Sequence, residues 1–301
     1  MPRVLLLATI SPFALMPMAA AQAADERREA VIIVTTPGPD RAADELIGNA
    51  TALNREEILE NLAGSLGDTL DRQPGVATTF FGAGASRPVL RGLGAERVQV
   101  LTNGIGVIDV SAASPDHQVT TDGIDAQSIE ILRGPAALAY GGQAIGGVVN
   151  VIDGLIAEEL PEEPMSGDVF AGYNSVNEGT ELAARGQFTA GQLVFSLSGS
   201  MRDFDNFDIP DFSESALQRA LEEAEEAEEG EEHSEEEEVR GTAENSFVET
   251  QSLAAGVSWV GENAFFGVAV RQQTSEYGLP GHGHESIVKA VSRCAASIIA
   301  S

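Results

Sequence analysis

Between Asp168 and Gln273 the chain repeats one pattern: stretches of about ten residues in which apolar side chains alternate with polar or very small ones. Leu182, Ala184 and Phe188 share one parity, with Glu181, Arg185 and Gln187 on the other. Leu193, Phe195, Leu197 and Met201 alternate with Ser196, Ser198, Ser200 and Arg202. Leu253, Ala255, Val257 and Trp259 alternate with Ser252 and Ser258, while Ala264, Phe266, Val268 and Val270 oppose Arg271 and Gln273. A weaker stretch covers Asp168 to Tyr173. Period two means extended strands with one apolar face. A length of about ten residues is what a tilted strand needs to cross a bilayer. A soluble sandwich shows the same alternation, so no single stretch decides between the two.

The N-terminus favours the membrane. Met1-Pro2-Arg3 is followed by the almost wholly apolar Val4 to Met18, and Ala21-Gln22-Ala23 supplies a small-x-small cleavage pattern. Residues 1–23 therefore read as a Sec-type signal peptide. No later segment offers about 20 consecutive apolar residues, so a membrane form of this chain is a β-barrel. Acidic residues number 47 against 17 basic, a formal charge of −30. That balance argues against a nucleic-acid partner and favours a cation. A single cysteine, Cys294, excludes an internal disulfide and any CxxC motif.

Ahead of the alternating region, residues 44–155 have the texture of one α+β unit. Ile58, Leu59, Leu62, Leu66 and Leu70 lie at helical spacing between Glu56 and Leu70, and Pro74-Gly75 ends the run. Apolar strands follow around Val98–Leu101 and Ile129–Leu132, leading into Asn103-Gly104 and Arg133-Gly134-Pro135 turns. The Gly-rich run from Tyr140 ends in a third strand, Gly147–Ile152. It lacks the lysine of a phosphate-binding loop and fits no strand-GxGxxG-helix unit. With no nucleophile–base pair and no metalloprotease motif either, the chain is not expected to be an enzyme. Residues 24–43 carry EAVIIVTTPGPD (Glu29 to Asp40), an extended apolar run suited to adding a strand to a partner's sheet edge, or to opening the next domain.

Ser86–Leu93 (SRPVLRGL), Arg97–Val107 and above all Ile129–Ile152 (IEILRGPAALAYGGQAIGGVVNVI) resemble the plug domain of TonB-dependent outer-membrane receptors. Glu29 to Pro37 is similar to the TonB box of that family, which implies contact with the TonB energising complex through Val31, Ile32, Ile33, Val34 and Thr35. The resemblance implies an α+β plug followed by an antiparallel transmembrane barrel of about 22 strands. It also implies active import across the outer membrane of a Gram-negative bacterium, with outer-membrane lipid around the barrel.

Cargo is a separate question. SPDH (Ser114 to His117) and YGLPGHGHE (Tyr277 to Glu285) are similar to the zinc-uptake branch of the family. There the plug Asp-His pair supplies ligands to zinc, which implies Asp116 and His117 here. His282, His284, Glu285 and His233 follow as further contributors from external loops. Zinc accepts imidazole nitrogen and carboxylate oxygen in a roughly four-coordinate shell, and two adjacent side chains cannot close it alone. An acid–imidazole pair on a turn is also ordinary polar surface. A siderophore, haem or other metal chelate as cargo, and a non-transporting zinc-binding fragment, remain alternatives. Residues 203–245 form an acidic external loop with twelve glutamates from Glu222 to Glu238 around His233; mutual repulsion opposes an ordered helix there.

Residues 165–285 have room for five or six strands, too few to close such a barrel. Residues 286–301 (SIVKAVSRCAASIIAS) abandon the alternation and are expected to lie outside it, as after a frameshift or truncation. The sequence is thus expected to be a receptor fragment.

Overall fold

The computed structural model describes residues 32–33, 41–42, 50–106, 110–213, 215–221, 240–280 and 287–300. The expected signal peptide, and Val31, Val34, Thr35, His233, His282, His284 and Glu285, lie outside them. Of the proposed TonB-contacting run, Ile32–Ile33 forms β1, paired antiparallel with β2 (Arg41–Ala42).

The first unit is built around a five-stranded sheet. In chain order its strands and their small companions are β3 (Ala50–Asn54), β4 (Val76–Thr78), β5 (Pro88–Leu90), β6 (Val98–Thr102), β7 (Ile105–Gly106), β8 (Ser128–Leu132) and β9 (Gly147–Ile152). The sheet order is β3-β8-β9-β6-β7, with β6 and β9 parallel and every other pair antiparallel. β4 and β5 form a separate two-stranded ribbon. Asn103 and Gly104 both have positive φ (50° and 75°), the geometry of a two-residue I′ hairpin, which Asn-Gly adopts at little steric cost. Leu53, Ile58, Leu66, Leu70, Val98, Val100, Ile129, Ile131, Val149 and Val151 form the buried core between this sheet and the helices.

The helical stretch differs from expectation. It is not one helix but two, α1 (Arg55–Glu60) and α2 (Leu66–Leu70). α1 opens on a capping box, in which Asn54 accepts from the Glu57 amide and Glu57 accepts from the Asn54 amide. Ser65 begins a second helix by accepting from the Asp68 amide at 3.1 Å. Between them, a Cβ on Gly64 would lie 2.8 Å from Ala83 O. The break is made by a close approach of distant backbone, which periodicity cannot report.

The second unit is a six-stranded antiparallel meander. It comprises β10 (Met165–Asn174), β11 (Gly179–Ala190), β12 (Leu193–Phe204), β15 (Val248–Val260), β16 (Phe265–Gly278) and β17 (Ile287–Ala300). The short pair β13 (Phe207–Asp208) and β14 (Thr242–Ala243) stems the acidic insert. The sheet does not close on itself: β10 and β17 are its two edges. All five alternating stretches are strands. The last segment, expected outside the barrel, pairs along its whole length with β16, from Gly278↔Ile287 to Phe265↔Ala300. Its alanines and serines blur the apolar–polar contrast, while the open row of β16 amides and carbonyls takes up any neighbouring extended chain.

The faces of this sheet are inverted relative to a soluble protein. One row across four strands, Phe188↔Phe195↔Val257↔Val268, is exposed and apolar, with the Phe188 and Phe195 rings 6.4 Å apart. Another, Glu181↔Arg202↔Thr250↔Ser275, is buried and polar. The polar face is covered by the first unit. The segment 155–157, which follows the first unit, lies against it so closely that a Cβ on Gly256 would collide with Leu155 O, and one on Gly267 with Ile156. Ala157 also donates its amide to Ser258 Oγ at 2.8 Å. Gly256 is therefore a place where another backbone approaches, and Gly267 one where the Ile156 side chain packs.

Candidate functional site at the plug apex

Connections between the strands of the meander are 191–192 and 261–264 at one end of the sheet, and 175–178, 205–247 and 279–286 at the other, which thus carries both long ones. In outer-membrane barrels the short turns are periplasmic and the long loops external. The Asp116–His117 turn lies at the long-loop end. It is tied there by Tyr277, the residue before the last of β16, whose hydroxyl accepts the Gln118 amide at 2.8 Å and reaches Asp116 O at 3.4 Å.

Within the turn, His117 N donates to Ser114 O at 3.1 Å. Asp116 Oδ1 accepts from Ser114 Oγ and lies 3.2 Å from His117 Nδ1. Both side chains are 37% exposed, open to solvent yet oriented. The Ser114 hydroxyl, more than the neighbouring imidazole, holds the Asp116 carboxyl below the ordinary aspartate range. A carboxylate beside an imidazole offers two groups of the kinds that divalent cations accept as ligands. No group of three or more metal-ligating side chains comes together among the described residues. The described part of the structure thus brings Asp116 and His117 together and adds no third ligand.

The same tyrosine meets a second plug loop. Ala83, Ala85, Phe204, Val248, Tyr277 and Leu279 form one buried cluster, and a Cβ on Gly84 would lie 2.9 Å from the Tyr277 ring. Deeper in, Arg202 of β12 is buried against Asp122 of the plug (2.5 Å) and Glu181 of β11 (2.6 Å), and donates to Gly64 O at 3.1 Å. Arg271 of β16 reaches Asp153 of the plug at 3.1 Å, and Arg55 of the plug reaches Asp168 of β10 at 3.2 Å. Sequence reasoning missed these contacts. The available signal was Arg202 on the polar parity of an apolar strand, where a buried guanidinium requires carboxylate partners.

An open antiparallel sheet with an apolar exposed face, packed by its polar face on a separate α+β unit, is the arrangement of part of a plugged outer-membrane barrel. Residues 42–148 match the family model described as TonB-dependent Receptor Plug Domain. The first unit carries that match, and the meander after it has the fold of part of the barrel of such receptors. The chain is 28% identical over 211 residues to a vitamin B12 transporter, BtuB, of Vibrio vulnificus, covering 68% of this chain and 33% of that one. It is 29% identical over 180 residues to the BtuB of Photobacterium profundum, covering 59% and 29%. Among solved structures it is similar in fold to the copper transporter OprC (TM-score 0.56, 18% identity, 81% of this chain and 33% of that one). A ferric enterobactin receptor, PfeA, of Pseudomonas aeruginosa is also similar (TM-score 0.53, 17% identity, 76% and 33%). The chain spans about a third of the length of these relatives. The curated relatives are described as transporters.

Proposed function

We propose that this chain supplies the plug and barrel strands of a TonB-dependent importer for a divalent metal ion, zinc first, captured at the outer face of the outer membrane. One observation carries the reading: Asp116 and His117 form a solvent-open carboxylate–imidazole pair on a plug turn that Tyr277 holds at the long-loop end. Support comes from the charge of −30, with twelve glutamates of the insert joining the barrel at the same end. Such a field raises the local concentration of cations. His282, His284 and Glu285 follow Tyr277 closely in sequence and complete the shell in this reading, with His233 gathering ions in the acidic insert. TonB grips Val31 to Thr35 and pulls the plug to release the cargo, after Sec-type export has delivered the protein to the outer membrane.

A second reading, an organic metal chelate as cargo, is favoured by the B12-transporter relatives. Calorimetry on the detergent-folded chain separates the two. Zinc is expected to bind the unmodified chain and to lose at least tenfold in affinity on Asp116→Ala with His117→Ala. Unchanged zinc affinity in the double variant overturns the metal-ion reading, and tight cyanocobalamin binding without zinc binding selects the chelate.

A further inference from the structure

We propose that Tyr277 is a positioning residue for the apical metal site: a barrel side chain that presets the plug carboxylate–imidazole pair for its cargo. The inference rests on the metal-ion reading of Asp116 and His117 and deepens it. Tyr277 is fully buried although its hydroxyl sits at the edge of a solvent-open turn. Its ring is fixed from below by Ala83, Ala85, Phe204, Val248 and Leu279. Gly84 leaves it no slack, since even a methyl there would meet the Tyr277 Cβ and Cγ at 2.9 Å. The hydroxyl then takes the backbone on both sides of His117, the Gln118 amide at 2.8 Å and the Asp116 carbonyl at 3.4 Å. Neither bond touches the metal-ligating atoms. Both restrict the φ and ψ angles that aim those atoms.

A loop that must order itself on binding loses affinity, and one ordered beforehand does not. The rigid support is a barrel strand that leads directly into Gly278 and Leu279. A Cβ on Gly82 of the neighbouring plug loop would lie 2.7 Å from Gly278 O and 3.6 Å from Leu279 Cα. The barrel rim and the two apical plug loops therefore meet at one side chain. A bare turn, with the φ and ψ of His117 free to rotate, would sample many orientations of the pair; the two bonds to Tyr277 restrict them.

Tyr277→Phe keeps the ring packing and removes only the hydroxyl. In the full chain folded in detergent, Co2+ serves as the probe, read by its visible ligand-field bands. Tyr277→Phe is expected to weaken Co2+ binding about tenfold, the scale of one hydrogen bond of about 1.4 kcal/mol, and to shift the band pattern, with the unfolding midpoint little changed. In the metal-free protein the Gln118 amide is expected to lose about tenfold in hydrogen-exchange protection. Unchanged Co2+ affinity in the variant, or unchanged Gln118 protection, overturns the proposal. If the unmodified chain binds neither Co2+ nor Zn2+, the metal-ion reading of the turn fails and the positioning role fails with it. Binding that survives Tyr277→Phe at full strength but not Asp116→Ala sinks the positioning role alone.

Discussion

Replacing Arg202 by Met tests how the plug is held in the barrel. The guanidinium is 1% exposed and lies 2.5 Å from Asp122 Oδ2 of the plug and 2.6 Å from Glu181 Oε1 of β11. The two carboxylates are themselves 4% and 10% exposed. Removing the cation leaves both acids buried without a counter-charge, and also strips Gly64 O of its donor. Breaking a buried pair from one side costs about 3–5 kcal/mol, because the uncompensated charge is more expensive than the lost attraction. With two acids on one base the upper half of that range is expected. The triple variant Arg202→Met, Asp122→Leu, Glu181→Leu removes every charge together and should recover most of the loss. Urea unfolding of the detergent-folded chain, followed by tryptophan fluorescence and by proteolysis of the plug, reads both. A single-variant loss below about 1 kcal/mol, or a triple variant no better than the single, refutes the assignment of Arg202 as a charge that helps dock plug to barrel.

Two further outcomes follow from the same geometry. Leu253 sits mid-strand on the apolar outer face and is 71% exposed. Leu253→Arg is expected to cost about 2–4 kcal/mol for folding into lipid vesicles, as at a bilayer midplane, and refolding yields unaffected by the charge would show that this face does not meet lipid. Asp116, depressed chiefly by the Ser114 hydroxyl, should titrate by carboxyl-carbon NMR with a midpoint below the ordinary value of 3.8. Its contribution to holding the turn is complete above the unfolded-state pKa and is lost only as pH falls through the lower folded one. Ser114→Ala should return the midpoint toward 3.8, and a midpoint already there in the unmodified chain would remove the Ser114–Asp116 bond from the account.

Much of this architecture was legible beforehand. Alternation identified all five stretches between Asp168 and Gln273 as strands and separated the two faces of the four stronger ones, because period two is a local property of an extended chain. Asn103-Gly104 announced its hairpin for the same reason, since the φ values it needs are written into two residues. The site was half legible: SPDH drew attention to Asp116 and His117, whose adjacency the backbone guarantees. Tyr277 heads the run YGLPGHGHE, in which the imidazoles and the carboxylate after it carry the metal-ligand chemistry. Nothing in a sequence says that a tyrosine more than 150 residues away will bond to the backbone beside His117.

What the sequence determined by itself was thus the inventory and the parity: which runs extend, which face of each is apolar, and where an acid and an imidazole stand side by side. Which face points inward was settled only by tertiary structure, because alternation alone is symmetric and a soluble sandwich reads the same way. So were the break between α1 and α2 at Gly64, the docking of the last segment as β17, and the burial of Arg202 between Asp122 and Glu181. Each depends on atoms brought together from distant parts of the chain. Close approach, desolvation and charge pairing belong to the packed molecule, whereas spacing belongs to the sequence.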